Sequence, residues 1–251
     1  MSLLFESCLY HYTTFDSAAK ILASGRLKFS VIEMLNDINE SCGPTIICDD
    51  QRDYSLVEKE LKGYSQISLT KDGDEGDRRG FDIPAMWGHY ADKGHGVCLV
   101  LNKEQCVHDT ISQKLYAEAV IYQPIESLNN IEYNRSYGNL EGFIIQSTKD
   151  LFFHKSSDWK YEQEYRIITK YGSNSFFNIE ESLEGVILFS RSQKNFLKSP
   201  EYNALSRIRP DLDYYRYNSG MGQFELYNDK GELVFPRQIL YDLQNASIND
   251  A

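Results

Sequence analysis

Short stretches of the chain carry either a two-residue or a 3.6-residue spacing of apolar positions, and the spacing switches repeatedly. The run CLYHYT, residues 8–13, is β-prone. Ala18, Ala19, Ile21 and Leu22 then form a helical apolar stripe, with Thr14 or Asp16 placed to cap it and Ser24-Gly25 to end it. Residues 27–32 read as extended, and Asn36-Asp37 falls in the loop or turn beyond. The polar stretch 49–62 becomes helical toward its end, and 64–70 alternates as a half-buried strand does. The Gly- and Asp-rich run KDGDEGDRRGFD, residues 71–82, is a loop by composition, suited to act as a lid over a neighbouring pocket.

Residues 85–92 have helix or turn character, and Gly94 and Gly96 open a buried strand over 97–101. Further strands are expected at 117–122, 161–169 and 186–189, with a helix over 140–153 and late sheet or packing elements at 233–235 and 239–241. The pattern predicts one α+β domain over 1–251, a motif-bearing core at 8–170 completed by C-terminal strands and a helix from 171–251. Its sheet is expected to be mixed, bent or split, and flanked by helices.

Hydrophobic residues make up 41% of the 251 and charged residues 25%, enough to bury a core and too apolar for general disorder. A net charge of -11 argues against a broad electrostatic grip on nucleic acid. A local basic patch stays open, its best candidate being Arg191, Lys194, Lys198, Arg207, Arg209 and Arg216, although such a sprinkling is more often solvated surface than a phosphate site. No apolar stretch is long enough to cross a membrane, and residues 1–6 lack the basic flank and apolar run of a signal peptide, so a cytoplasmic location is expected. The five cysteines show no CxxC or zinc spacing and read as small buried thiols, with no disulfide or metal site expected.

Candidate chemistry gathers in three islands: His11-Tyr12-Thr13, Trp87/His89/Tyr90, and Glu162/Glu164/Arg166. If 159–168 is a strand, its two-residue period puts Glu162, Glu164 and Arg166 on one face and Tyr161, Tyr165 and Ile167 on the other. Two carboxylates side by side suit sugar or cofactor chemistry. The plain alternatives are a satisfied core histidine, aromatic packing, and an Arg166 that neutralises a carboxylate by pairing with it.

The segments LYHYTTFDSAAKILASGRL, LNDINE, MWGHYADKGHGVCL and HKSSDWKYEQEYRII, over roughly residues 9 to 170, resemble a bacterial family of unknown function. Where that family's pattern reads Asn-Asp-Pro-Phe-Glu, this chain has Asn36-Asp37-Ile38-Asn39-Glu40. More distantly, the opening is similar to ADP-ribosyltransferases. Those enzymes commonly begin with a strand carrying His or Arg and a small hydroxyl residue, and end their site with a catalytic Glu on a late strand. The resemblance implies an ADP-ribosyltransferase-like fold with His11 and Glu164 approaching each other across a cleft. It also implies NAD as substrate and a protein or nucleic-acid acceptor. A toxin or antiphage defence effector, with a neutralising antitoxin or chaperone, would suit such an activity.

The chemistry is physically coherent. Breaking the nicotinamide–ribose bond develops positive charge on the sugar, which a carboxylate stabilises most in the transition state. Under that resemblance Glu164 would take this role and Glu162 would face the acceptor. The same resemblance implies His11 and Thr13 as ligands of ribose and carboxamide, Tyr12, Trp87 and Tyr90 as stacking faces with His89 beside them, and Arg166 as a phosphate ligand unless it only pairs with a carboxylate. Two other classes stay open. One is a nucleotide- or protein-binding module without turnover. The other is a metal-dependent nuclease or hydrolase built on His89, Asp92 and His95, for which the spacing is unpersuasive.

Overall fold

The computed structural model describes residues 7–32, 46–48, 50–73, 78–125, 130–133, 139–170, 175–189, 196–220 and 223–236. In chain order, β1 (Cys8–Thr13) leads into α1 (Phe15–Ser24), followed by β2 (Arg26–Lys28), β3 (Ser30–Val31) and β4 (Ile46–Cys48). Then come α2 (Gln51–Leu61), β5 (Ser65–Lys71), α3 (Pro84–His89), β6 (Val97–Asn102) and α4 (Lys103–Ser112). Next are β7 (Tyr116–Ala119), β8 (Ile121–Gln123), β9 (Ile131–Tyr133), α5 (Leu140–Gln146), α6 (Thr148–Phe152) and β10 (His154–Ser156). The chain continues through β11 (Glu164–Thr169), β12 (Phe176–Asn178), β13 (Leu183–Phe189) and α7 (Pro200–Ile208) to β14 (Asp213–Gly220), β15 (Gln223–Asn228) and β16 (Leu233–Pro236). The result is a mixed α+β fold. Among the described residues, no helix is long and apolar enough to cross a membrane.

Two compact units emerge, each assembled from separated stretches of chain. The first takes 1–25, 72–103 and 180–251; the second takes 26–71 and 104–179.

In the first unit the strands stand in the order β16-β15-β14-β13-β6-β1. Among the described residues of this unit only β13 and β14 pair in parallel, and α7 lies between them in the chain, as a parallel crossover requires. The helix α1 begins at the expected cap, where the Thr14 hydroxyl accepts from the Ser17 N–H, and ends at Gly25 in the left-handed conformation that glycine adopts freely. One sheet face is aromatic. Tyr10 meets Phe81 edge-on at 5.8 Å, and Trp87 stacks on Tyr217 at 5.2 Å with the rings 8° from parallel.

In the second unit β11 is the middle of an antiparallel trio with β5 and β7, and β3 also pairs with β5. Its apolar core joins Val57 of α2, Phe143 and Ile144 of α5, Leu151 and Phe152 of α6, and Ile168 of β11. Burying these side chains is worth roughly 25 cal/mol per Å² of apolar surface removed from water, the main force holding the helices to the sheet.

Three differences from the sequence pattern have local causes. Helix α4 was not foreseen because it buries Cys106, Asp109 and Thr110 rather than an apolar stripe. The helix expected over 140–153 is interrupted at Ser147, which closes α5 with φ -98° and ψ 9° and precedes α6. The strand expected over 161–169 starts only at Glu164, because Ser157–Glu162 forms a 3-10 turn and Gln163 is left-handed at φ 48°. Residues 36–40, Cys42, Arg191, Lys194 and the 239–241 segment, all singled out above, lie outside the described residues.

Candidate functional site

Glu162 is the first correction. It sits at the end of the 3-10 turn, so it does not share a strand face with Glu164. The two carboxylates nevertheless converge, because Lys155 on β10 reaches both of them. Its Nζ lies 2.7 Å from Glu162 Oε2 and 3.4 Å from Glu164 Oε2. Glu164 and Arg166 are two apart on β11 and do share a face. Arg166 donates from Nε to Glu164 Oε1 and from Nη2 to Glu164 Oε2, both at 2.8 Å. That bidentate fork is the geometry in which guanidinium binds carboxylate best.

The four side chains are each 3–5% exposed. Two cations and two anions therefore balance in a site that water barely reaches. Arg166 Nη1 also donates to the Phe152 carbonyl at 2.6 Å, satisfying the last residue of α6 where helix carbonyls lack partners. Lys155 Nζ stands 4.9 Å from the centre of the Trp159 ring, a cation–π contact. The Tyr122 hydroxyl accepts from the Glu164 N–H at 2.8 Å, and burial pushes that phenol up.

Burial likewise pushes the Glu164 carboxyl above its ordinary value of 4.5; Glu162 adds to the rise, while Lys155 and the Ser68 hydroxyl pull against it. A carboxyl held above its unfolded value binds its proton more tightly in the native chain. Its favourable contribution is therefore complete below about pH 4.5 and is lost as pH rises through the folded value. Urea unfolding from pH 4 to 8 should show the stability of the wild type relative to Glu164→Gln shrinking with rising pH. A difference that grows would contradict the assignment.

The other two islands belong to the first unit. His11 and Thr13 are half-buried on β1, beside Leu99 and Val97 of β6. Tyr12 points to the opposite, aromatic face, is 7% exposed, and donates its hydroxyl to the Gly80 carbonyl at 2.7 Å. Trp87 is 3% exposed, meets Tyr12 edge-on at 5.2 Å and donates its indole N–H to the Phe81 carbonyl at 2.8 Å. Tyr12 and Trp87 are thus core side chains with their polar atoms used. His89 is exposed at the end of α3, and Tyr90 is half-buried with its ring centre 6.2 Å from that of His89.

Sequence reasoning missed Lys155. The HKSSDWKYEQEYR segment carries two lysines before the two glutamates, Lys155 and Lys160, and its spacing alone does not single out Lys155 as their partner. Of the candidate basic patch, for which solvated surface was the more common expectation, Arg216 is in fact buried, at 5% exposed. Arg209, by contrast, is paired with Glu180 at 3.2 Å and Asp211 at 2.8 Å. Among the described residues, no three His, Cys, Asp or Glu side chains gather into a group able to hold a metal.

Residues 86–167 match a family model described as "Protein of unknown function (DUF2971)". The match takes in the Trp87/His89/Tyr90 island and the Glu162/Glu164/Arg166 island, together with Lys155, and supports the uncharacterised family expected from the motifs. The segments around residues 9–27 and 35–40 lie outside it. No curated protein and no solved structure matches the chain.

Proposed function

We propose that this chain transfers ADP-ribose from NAD to a protein or nucleic-acid acceptor, with Glu162 and Glu164 as its acidic pair. The observation that carries this reading is the meeting of two carboxylates on one cation, at 2.7 and 3.4 Å. Loss of nicotinamide leaves positive charge on the ribose, and fixed carboxylates in a dry site stabilise such charge without reorganising. Glu164 is the proposed stabiliser of that cation and Glu162 the acceptor-side group. In the described state Lys155 occupies the cation's place, so turnover requires its ammonium to give way to the sugar. The role of toxin or antiphage effector, with a neutralising partner, rests on the distant resemblance alone.

With NAD labelled in its adenine, the wild type is expected to release nicotinamide and leave label on a macromolecule. Glu162→Gln should keep the release and lose the label transfer. Neither product from the folded wild type ends this reading.

A second reading is favoured by the saturation of the same group. Both oxygens of Glu164 already accept hydrogen bonds, from Arg166 and from Lys155. Under this reading the chain is a nucleotide- or protein-binding module, and the four charges hold its second unit together. Saturable binding without any product, unchanged in Glu164→Gln, would select it.

A further inference from the structure

We infer that Arg216 anchors an oxyanion subsite on the first unit, one that takes a phosphate or diphosphate group. Arg216 is 5% exposed, and among the described residues no carboxylate lies within ion-pair distance of it. Its Nη1 is fully buried and has no hydrogen-bond partner. A guanidinium is a cation with five N–H donors and no acceptor. A buried charge without a counter-ion is among the costliest arrangements in a protein, and an arriving anion relieves it.

The surroundings hold the fork in place. The Tyr227 ring centre lies 4.3 Å from Cζ, a cation–π contact with the guanidinium. Cross-strand register places Thr13, Val97, Leu188, Arg216 and Tyr227 in one row across five strands, all on the same sheet face. Leu188, one residue from the carboxyl end of β13, pairs with Arg216 inside β14. The next row of the same face is fixed by packing: Tyr214, two residues before Arg216, donates its hydroxyl to the Leu205 carbonyl of α7 at 2.8 Å.

A phosphate suits this fork because it offers several oxygens to divergent N–H groups, whereas a solvated surface arginine would need no such partner. The subsite stands apart from the NAD reading, and a protein that released no nicotinamide would leave it untouched.

Thermal unfolding of the full chain, with inorganic pyrophosphate and separately with ADP, tests the assignment against sodium chloride at matched ionic strength. The wild type is expected to gain stability with a saturable dose dependence in at least one of the two; the arms separate free diphosphate from a nucleotide. Arg216→Met should start at or above the wild-type melting temperature without ligand and give no response, and Arg216→Lys should respond more weakly. An undiminished response in Arg216→Met, or none in the wild type, would overturn the proposal. So would a lowered melting temperature of Arg216→Met without ligand, which would mean the guanidinium is satisfied within the chain. A response to malonate but to neither phosphate probe would overturn the choice of phosphate.

Discussion

Arg166→Met is expected to destabilise the protein by about 3–5 kcal/mol, the usual cost of breaking a buried ion pair by removing one partner. The substitution keeps most of the side-chain volume, so the loss is electrostatic rather than steric. It leaves Glu162 and Glu164 sharing the single ammonium of Lys155 in a site where all are 3–5% exposed. It also frees the Phe152 carbonyl at the end of α6. The contrasting pair is Lys170–Glu60, 2.6 Å apart but 49% and 31% exposed. There, Lys170→Met should cost less than about 1 kcal/mol. Urea unfolding of both variants checks the contrast, and equal small losses would show that the buried cluster contributes no cohesion. Lys155→Met with Glu162→Gln should lose clearly less than the two single losses added together, because each single change strands the other partner.

Gly96→Ala is expected to cost about 3 kcal/mol, at the upper end of ordinary overpacking. A Cβ at this position would press on the Thr13 carbonyl oxygen, and would lie 2.8 Å from both the Cα and the carbonyl carbon of Ala91. All three are backbone atoms, so no side chain can turn aside to make room. The turn is also tightly bonded: the Ala91 carbonyl accepts from the Gly96 N–H at 2.7 Å and from the Gly94 N–H at 2.9 Å. Gly88→Ala is the natural control, since nothing lies within 4 Å of its Cβ position. Thermal unfolding should leave Gly88→Ala near the wild type and lower Gly96→Ala by many degrees. Parity between the two would refute the close approach of the backbone.

Elements with a local signal were legible from the chain. The first strand and helix, with Thr14 and Gly25 at the helix ends, depend on residues within one short segment, and the structure places them where the pattern did. The buried strand after Gly96 was legible for the same reason. What failed depended on tertiary context. Nothing in the alternation of 159–168 reveals that Gln163 turns left-handed and removes Glu162 from the strand. Lys155 was invisible as a partner because it comes from β10, which pairs with β8 rather than with β11. Trp87 and Tyr12 have the composition of a stacking site, and only the packing of Tyr217 and Phe81 shows them to be core. Arg216 was judged by net charge and composition, which carry no information on burial.

Nicotinamide release from NAD, measured on the wild type and on Glu164→Gln below the unfolding temperature of either, tests the catalytic reading most directly. The account predicts release by the wild type and a loss of about 100-fold or more in the variant, the scale on which removing a fixed transition-state partner acts. Equal rates in the two, or no release by the folded wild type, would contradict it and leave the four buried charges as a purely structural ion-pair ladder.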